Sequence, residues 1–519
     1  MTEPTREVNA PVTEPSQGSR PMTEARADTG PETDKPGFDR RLLPPMMLGS
    51  VLNPINSTII SVALVPIGRA LGAPSSQTAW LVSALYLATS LGQPVVGRLI
   101  DIFGPRRLFL LSTSLVGVAG VIGTLAPNLG VLIAGRVLLG FGTCAGYPAA
   151  MALLRSEGKR TGRDSPGGVL TALAVTNQTI AVVGPLLGGL LIAVGGWRAT
   201  FALNVPLAVA AVLLGLLRLP KPATGTDALR RREGLAARLD LPGMGLFAAM
   251  LTSLLLFLMN LHLSSWYLLV VAAAVGAVFA ARELRAATPF IDLRVLGGNT
   301  PLLATYGRAL VAYIVSYAFL YGFSQWTEEG YGLTPFRAGL VQIPMFLLAI
   351  GVSIVSGRRW SVRGKLLLGG AGQIVACLVM LTLTGNSPLW MLLLVALIFG
   401  VPQGLNSLAL QNSVYFQADP ERTASSAGLL RTFAYIGSMI ASSATGASFG
   451  QRADTGGMHR LAWVMLGAGL LYLLLTAFDR TLGRAGATDA EAAARPPRLP
   501  RRPRAGRPPR DAHRDGDTG

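Results

Sequence analysis

Three arginines lie inside long apolar runs and are the residues of this chain best placed for chemistry: Arg136, Arg308 and Arg431. A charge within a membrane-spanning helix is costly and usually serves a function, such as binding an anion or relaying a proton. Arg308 and Arg431 lie roughly 10 Å from their helix ends at about 1.5 Å per residue, so their side chains could instead reach the lipid headgroups. The sequence therefore predicts a charge pathway through these arginines, with headgroup contact left open for Arg308 and Arg431.

The residue types that catalyse reactions or hold metals show no pattern. The three histidines, His262, His459 and His513, share no metal-ligand spacing. Cys144 and Cys377 both fall within apolar runs, where small packing residues are expected rather than a disulfide or a metal site. We therefore predict no enzyme activity, no cofactor and no metal site.

The composition is typical of a polytopic membrane protein. Half of the 519 residues are hydrophobic, 14% are charged and the mean hydropathy is +0.47, whereas a soluble domain carries about 25% charged residues. The net charge of +18 comes from residues between the apolar runs and in the carboxy-terminal tail. This distribution is typical of cytoplasmic loops and of attraction to anionic lipid. We expect contact with membrane lipid and no nucleic-acid partner.

Fourteen apolar runs are long enough to cross a bilayer, which takes roughly 20 residues of helix. The sequence thus predicts an all-α integral membrane protein with about fourteen transmembrane helices. We call the runs spans 1 to 14, and they lie at about 42–66, 78–98, 107–126, 130–153, 169–194, 200–218, 242–262, 266–284, 301–325, 337–357, 365–384, 388–412, 424–448 and 460–478. Polar composition predicts disordered tails at 1–39 and 481–519 and a basic linker at 219–240.

The connections between consecutive spans, numbered in chain order, alternate between many and few positive charges. The even-numbered connections contain most of the Arg and Lys residues, whereas the odd-numbered ones hold only scattered arginines. Because positive loops stay in the cytoplasm, both termini are predicted to be cytoplasmic, in a bacterial inner membrane. A twelve-span count, with spans 7 and 8 outside the membrane, would give the same orientation. It is disfavoured because both runs are nearly free of charge.

The hairpin between spans 2 and 3, Gly97–Arg107, reads GRLIDIFGPRR. Its glycines allow helix ends to approach each other, and its proline suits the first turn of span 3. The spacing G-x-L-x-D-x-x-G-x-R-R closely resembles the signature loop of the major facilitator superfamily of transporters. The resemblance implies a gating role for Gly97, Asp101, Gly104, Arg106 and Arg107.

A second hairpin at 357–368, GRRWSVRGKLLL, echoes the first. Members of the superfamily consist of two parallel six-helix halves, with the substrate site between them near the midplane. The repeat thus implies an amino-terminal half at 40–218, an inserted pair of helices at 241–285 and a carboxy-terminal half at 286–480.

Span 5 contains GPLLGG at Gly184–Gly189. Glycines at this spacing allow close helix packing, and a proline can kink the helix. The motif resembles the antiporter motif of exporters in the superfamily, and GGWRATFALNVP at 195–206 resembles a stretch of its fourteen-span drug:proton antiporters. The resemblance covers about residues 42–478 and implies conformational roles for Gly184, Pro185, Gly188 and Gly189.

Two positions bear on how transport is driven. Arg136, in LIAGRVLLGFG of span 4, matches a buried arginine that the family associates with proton transfer, but Asn56 stands where the family usually has an Asp in span 1. No Asp or Glu lies deep inside a predicted span, and the nearest are at span ends: Asp101, Glu328 and Glu329. Three explanations stay open, namely proton entry through those carboxylates, export of an organic anion by the membrane potential, and uncoupled transport.

Polar and aromatic residues within the spans are candidates for lining a cavity. An amide in a span most often bonds a neighbouring helix, so we expect about half of them to face the substrate. An amide and aromatic lining suits bulky amphipathic organic molecules. The candidates are Asn53, Asn56, Asn177, Gln178, Tyr313, Tyr317, Gln342, Gln403 and Tyr435.

Together these features predict a monomeric exporter of drugs or amphipathic organic metabolites that works by alternating access. The family resemblance implies that export is coupled to proton antiport. Two weaker alternatives are a nutrient importer, which the span-5 motif disfavours, and a transport-dead sensor or scaffold with the same fold. The complete first hairpin, Arg136 and the span-5 motif disfavour the latter.

The hairpin carboxylate gives a first test. Asp101 should dock near the start of span 13, where a helix amino terminus stabilises an anion by about 0.3–1 kcal/mol. Asp101→Asn is therefore expected to weaken efflux of a fluorescent dye from cells while the protein remains inserted in the membrane. Normal efflux from an equally expressed variant would contradict the gating role.

Overall fold

The computed structural model describes residues 39–161, 167–220, 240–259, 263–286, 289–291, 293–294, 298–356, 361–418, 423–479 and 482. Nearly all of both predicted tails and of the 219–240 linker lies outside these residues, as do 357–360 of the second hairpin. The side chain of Asp101 also lies outside the described part of the chain, so its predicted docking remains a prediction.

Every regular element in the described residues is helical, and each of the fourteen spans contains a helix at its predicted position. The bounds, from span 1 to span 14, are Leu43–Ile59 with Leu64–Leu71, Ser75–Phe103, Pro105–Leu125, Leu129–Thr143 with Gly146–Thr161, Gly167–Ala202, Asn204–Arg218, Leu241–Met259, Trp266–Glu283, Thr300–Ala318 with Ser324–Glu329, Pro335–Ser356, Val362–Met380, Leu389–Gln417, Thr423–Phe449 and Thr455–Ala477. The helix at Gly167–Ala202 is kinked at Gly196, whose φ of 68° is left-handed, and span 6 begins after this kink.

Within the described residues, eleven helices are long and apolar enough to cross a membrane, or twelve if the two parts of span 1, bent by 60°, are counted together. The other two are spans 6 and 13. Asn204–Arg218 is apolar but has only 15 residues, and Thr423–Phe449 is long but rich in Ser, Thr and Gly. The protein is thus a multi-pass helical membrane protein, and a count of fourteen crossings remains a prediction.

An arginine beside each hairpin binds the end of a distant helix. The connection between spans 2 and 3 turns at Gly104, whose φ is 85°. Arg106 then donates a 2.8 Å hydrogen bond to the carbonyl oxygen of Leu216 in the last turn of span 6, and Arg107 is exposed. Arg363 donates a 3.0 Å bond to the carbonyl oxygen of Ala477 at the end of span 14. Cations are favourable there because the last carbonyls of a helix lack intrahelical partners.

Spans 1–6 and spans 9–14 meet mainly where span 2 packs on span 13 and span 5 packs on span 10. We call the end of the bundle that carries Gly104 the hairpin end and the opposite end the far end. Near the far end, Ser442 donates a 2.8 Å bond to the carbonyl oxygen of Ala79, and spans 2 and 13 touch through Ser76 and Gly450. At the hairpin end, a Cβ on Gly97 or Gly428 would meet no described atom within 4 Å.

Spans 7 and 8 lie against the outside of this contact. Span 7 packs on spans 2 and 13, and span 8 packs on span 7. Asp240, just before span 7, forms a 2.5 Å ion pair with Arg282 near the end of span 8. The carboxylates of Asp240 and Glu283 each accept a 2.9 Å bond, from the backbone NH groups of Phe290 and Ile291 respectively. These contacts join spans 7 and 8 to the segment that leads into span 9.

Arg308 is held in an ion pair at the hairpin end. Its side chain is fully buried and forms a 2.5 Å ion pair with Asp479, which follows span 14. A second bond of 2.7 Å reaches the hydroxyl oxygen of Thr305. The side chain is thus held at the hairpin end by these contacts, and its part in a charge pathway remains a prediction.

The ion pair leads to a stability prediction. Asp479→Asn would leave the Arg308 charge buried without its counter-ion, which typically costs about 3–5 kcal/mol. We expect a clearly lower midpoint of thermal unfolding for the purified protein in detergent. Asp454→Asn is the matched control, because Asp454 caps the amino terminus of span 14 through Gly457 and Asn is an equally good cap. Equal losses in the two variants would contradict a structural role for the pair.

Candidate functional site

Five tyrosines from spans 2, 9 and 13 meet about halfway along the bundle. Three of them recur at every fourth position of span 9, so they lie on one face of that helix, and the last is within a π-helical turn at Phe319–Phe323. The ring centroids of neighbouring members lie 5.5–6.0 Å apart. We call this group the tyrosine cluster, and its members are Tyr86, Tyr313, Tyr317, Tyr321 and Tyr435.

The cluster connects the two groups of spans by hydrogen bonds. The hydroxyl group of Tyr321 in span 9 donates to the carbonyl oxygen of Ser57 in span 1 at 3.2 Å. The Tyr86 and Tyr321 hydroxyl oxygens are 3.0 Å apart, and since the Tyr321 proton is directed at Ser57, Tyr86 is the donor in this bond. Spans 1, 2 and 9 therefore meet through two phenol groups that are shielded from solvent.

Arg136 is buried beside the cluster. Its Nε donates a 2.9 Å bond to the carbonyl oxygen of Leu81, and one terminal nitrogen donates to the carbonyl oxygen of Asn56 at 3.3 Å. The other terminal nitrogen has no partner among the described residues. The guanidinium group joins spans 1, 2 and 4 while keeping one donor available.

Arg431 links span 13 to span 4. Its guanidinium carbon lies 4.0 Å from the centre of the Tyr147 ring, and its side chain also interacts with Tyr435. A cation over an aromatic face gains about 0.5–2 kcal/mol, more when water is excluded. This arginine therefore lies next to the tyrosine cluster, and its part in a charge pathway remains a prediction.

Two of the predicted cavity amides bond neighbouring helices. Asn56 and Asn204 exchange two hydrogen bonds of 2.7 and 3.0 Å between spans 1 and 6. Asn53 donates a 3.1 Å bond to the hydroxyl oxygen of Thr143 in span 4. These contacts are the helix–helix bonds that the sequence left open as the alternative to a cavity position.

The remaining cavity candidates divide into three kinds. Gln342 in span 10 is buried, and neither atom of its amide has a partner among the described residues. Gln403 in span 12 is half-buried. The side chains of Asn177 and Gln178 lie outside the described part of the chain.

The GPLLGG motif lies where spans 1, 5 and 10 meet. A Cβ on Gly184 would collide with the Thr58 side chain, and one on Gly188 would lie 3.0 Å from the carbonyl oxygen of Ile59. Across the bundle, the carbonyl oxygen of Pro185 would be 2.7 Å from a Cβ on Gly339. Gly189 would place its Cβ 2.8 Å from the carbonyl oxygen of Pro335. Only glycines allow the three backbones to approach this closely.

Sequence reasoning missed three residues of this region, namely Tyr86, Tyr147 and Asn204. Each is a polar or aromatic residue inside an apolar run, which was the available signal. Its spacing alone does not show which neighbouring helix it faces, because that depends on how distant spans pack.

Residues 46–442 match the family model described as the Major Facilitator Superfamily. The chain belongs to this superfamily. It is therefore a multi-pass transporter, from a family whose members carry small organic molecules.

Similar curated members of the superfamily include bacterial resistance proteins. An uncharacterized MFS-type transporter, YwoD of Bacillus subtilis, is 30% identical over 82% of this chain and 94% of its own. A methylenomycin A resistance protein of Streptomyces coelicolor is 26% identical over 87% and 95%. A tetracenomycin C resistance and export protein of Streptomyces glaucescens is 28% identical over 67% and 65%.

A solved structure of the same fold is that of a bacterial homologue of the human lysosomal transporter Spinster, in an inward-facing and unoccupied conformation. It covers 87% of this chain and 99% of its own, with a TM-score of 0.59 and 15% identity. At this identity the likeness shows the fold of the superfamily and nothing of the substrate.

The close packing of span 5 can be tested by substituting one of its glycines. Gly188→Leu is expected to abolish transport or to make liposomes leak protons, because its side chain would enter the contact with Ile59 and Val62. Gly351→Leu in span 10 is the matched control, since Gly351 is exposed and a Cβ there meets no described atom within 4 Å. Leu is also the better helix former by about 1 kcal/mol. Full activity of Gly188→Leu would contradict the packing.

Proposed function

We propose that this protein exports drugs or amphipathic organic metabolites across the bacterial inner membrane by alternating access. The observation that carries the proposal is the tyrosine cluster with Arg431 beside it, where helices of both six-span groups meet. Aromatic faces provide apolar contact area while phenol groups and a guanidinium provide a few directional contacts, which is how sites for amphipathic organic molecules are built.

The outward direction has two supports. The span-5 motif packs against spans 1 and 10, so the element that resembles the antiporter motif sits between the two groups that must rock. The names of two similar proteins describe resistance to antibiotics, and one of them also describes export. Import of a nutrient remains the alternative that these names disfavour.

The contacts between the groups fit one state of a rocking cycle. Hydrogen bonds and close glycine contacts join spans 2 and 13, and 5 and 10, toward the far end, whereas a Cβ on Gly97 or Gly428 at the hairpin end would meet no described atom within 4 Å. We assign the hairpin end to the cytoplasm, following its positive charge. The substrate then reaches the tyrosine cluster from the cytoplasm, and rocking about spans 5 and 10 opens the far end outward.

We further propose proton antiport as the driving reaction. Arg136 is positioned beside the phenol groups of Tyr86 and Tyr321, as a residue that tunes a proton pathway would be. The alternative is an organic anion attracted by Arg136 or Arg431 and driven outward by the inside-negative potential, at about 2.3 kcal/mol per charge per 100 mV. An uncoupled facilitator and a transport-dead scaffold remain as the weaker alternatives.

Purified protein in liposomes distinguishes these reactions. The pH gradient and the membrane potential are imposed separately, and transport is followed with ethidium, an aromatic cation, and with anilinonaphthalene sulfonate, an aromatic anion. Proton antiport predicts accumulation that follows the pH gradient when the potential is clamped at zero. If transport follows the potential alone and only the anion moves, the antiport proposal is wrong and the anion exporter replaces it. If neither probe moves under either gradient, export of amphipathic aromatics is contradicted.

A further inference from the structure

Glu328 is a buried carboxylate near the far end of span 9. It lies in Ser324–Glu329, the part of span 9 that follows the π-helical turn, and only 3% of its surface is exposed. Neither carboxylate oxygen has a hydrogen-bond donor among the described residues. An unpaired carboxylate anion is very costly to bury, so this group is expected to be a neutral acid in the state described.

The segment that carries Glu328 packs against the opposite group of spans. Ser324–Glu329 packs against Leu64–Leu71 and Ile60–Val62, both from span 1, and against the beginning of span 10. A rocking motion that separates span 1 from span 9 at the far end would therefore uncover this carboxylate. Its exposure to water thus depends on the conformational state, which is what a coupling group requires.

The charges around Glu328 are few. Leu64–Leu71 provides Arg69, which is exposed, and the neighbouring Glu329 is the other charge that acts on Glu328. Ile60–Val62 contains no titratable group, and the one charge in Pro335–Ser356 is Arg337, which is exposed. Glu329 differs from Glu328 because its carboxylate accepts a 2.7 Å bond from the backbone NH of Ala453.

A polar cavity lies at the far end, beside the segment that carries Glu328. Arg69 and Glu329 both line it, together with Ser75, Thr78 and Arg452, and its volume is about 400 Å³. Water in such a cavity would bring protons from the far side to within one residue of Glu328. The carboxylate would then need only a small opening of the span 1 contact to exchange its proton.

A row of polar side chains leads from Glu328 toward the middle of the bundle. Ser324 and Gln325 precede Glu328 by four and three residues, so they share its face of the helix, and each has a buried oxygen without a described partner. Tyr321 is one turn further and bonds Tyr86. This face of span 9 thus carries a polar group at each turn between Glu328 and the tyrosine cluster.

We propose that Glu328 binds the counter-transported proton and takes the place of the Asp that span 1 lacks. When the far end opens, the carboxylate takes a proton from hydronium in the outer water; when span 1 closes over it, the neutral acid is buried. The proton later leaves along the polar face of span 9 to water at the hairpin end, and the carboxylate is restored. This inference rests on proton antiport as the proposed function.

The first test needs no substrate. Infrared spectra of the purified protein in lipid at neutral pH show the carbonyl stretch of protonated carboxyl groups, which shifts on exchange into heavy water. We expect Glu328→Gln to lose one component of this band and the matched control Glu329→Gln to keep it. Identical bands in the wild type and Glu328→Gln would overturn the proposal.

The second test separates coupling from substrate movement. In liposomes, Glu328→Gln is expected to lose ethidium accumulation driven by a pH gradient but to keep ethidium exchange in the absence of any gradient. The control here is Asp454→Asn, an exposed carboxylate at the same end of the bundle, which is expected to keep both. Retained exchange also shows that the variant is folded. Driven accumulation equal to the wild type, or loss of exchange together with accumulation, would overturn the role of Glu328. Failure of the wild type itself to respond to the pH gradient would instead contradict the proposed antiport.

Discussion

Polar groups in the middle of a bilayer cannot rely on water, so each one must find its partner within the protein. The buried polar side chains described here meet this constraint in two ways. Many Ser and Thr hydroxyl groups donate to a carbonyl oxygen one turn earlier in their own helix, and other polar groups join distant helices. Arg308 reaches Asp479, 171 positions away, and Asn56 pairs with Asn204. Buried polar atoms that lack a described hydrogen-bond partner therefore mark positions where partners could change, and Arg136, Gln342 and Glu328 carry such atoms. They lie at or near contacts between the two groups of spans, where partners can change when the groups move.

The positions of the helices could be read from the sequence because lipid imposes a long apolar run on each exposed span. The partners of polar residues could not. Asn56 was a reasonable cavity candidate from its type and position, but its face is decided by Asn204, which lies on another helix far along the chain. Asp479 was equally hidden, since it falls just past the last apolar run and looks like part of a charged tail. Gly184 and Gly188, by contrast, were readable, because their spacing alone places them on one helix face.

Span 13 shows why a hydropathy criterion can miss a helix in the interior of a transporter. Thr423–Phe449 is packed between spans 2 and 9 and touches span 14, so few of its side chains need to be compatible with lipid. Its many serines and threonines bond back to their own helix, as Ser438 does to Ala434 and Thr445 does to Ala441. An interior helix can therefore be too polar for a length-and-hydropathy criterion. Span 8, on the outside, shows the reverse, with Trp266 and Tyr267 among its exposed residues.

The two arginine contacts at the hairpin end have a mechanical consequence. Terminal helix turns fray readily because their last carbonyls lack partners, yet Arg106 and Arg363 bind these carbonyls on spans 6 and 14. Each contact fastens the last helix of a six-span group to an early connection of the same group. Under the proposed rocking motion, a group fastened in this way would move as one unit, with little bending at the ends of its last helix.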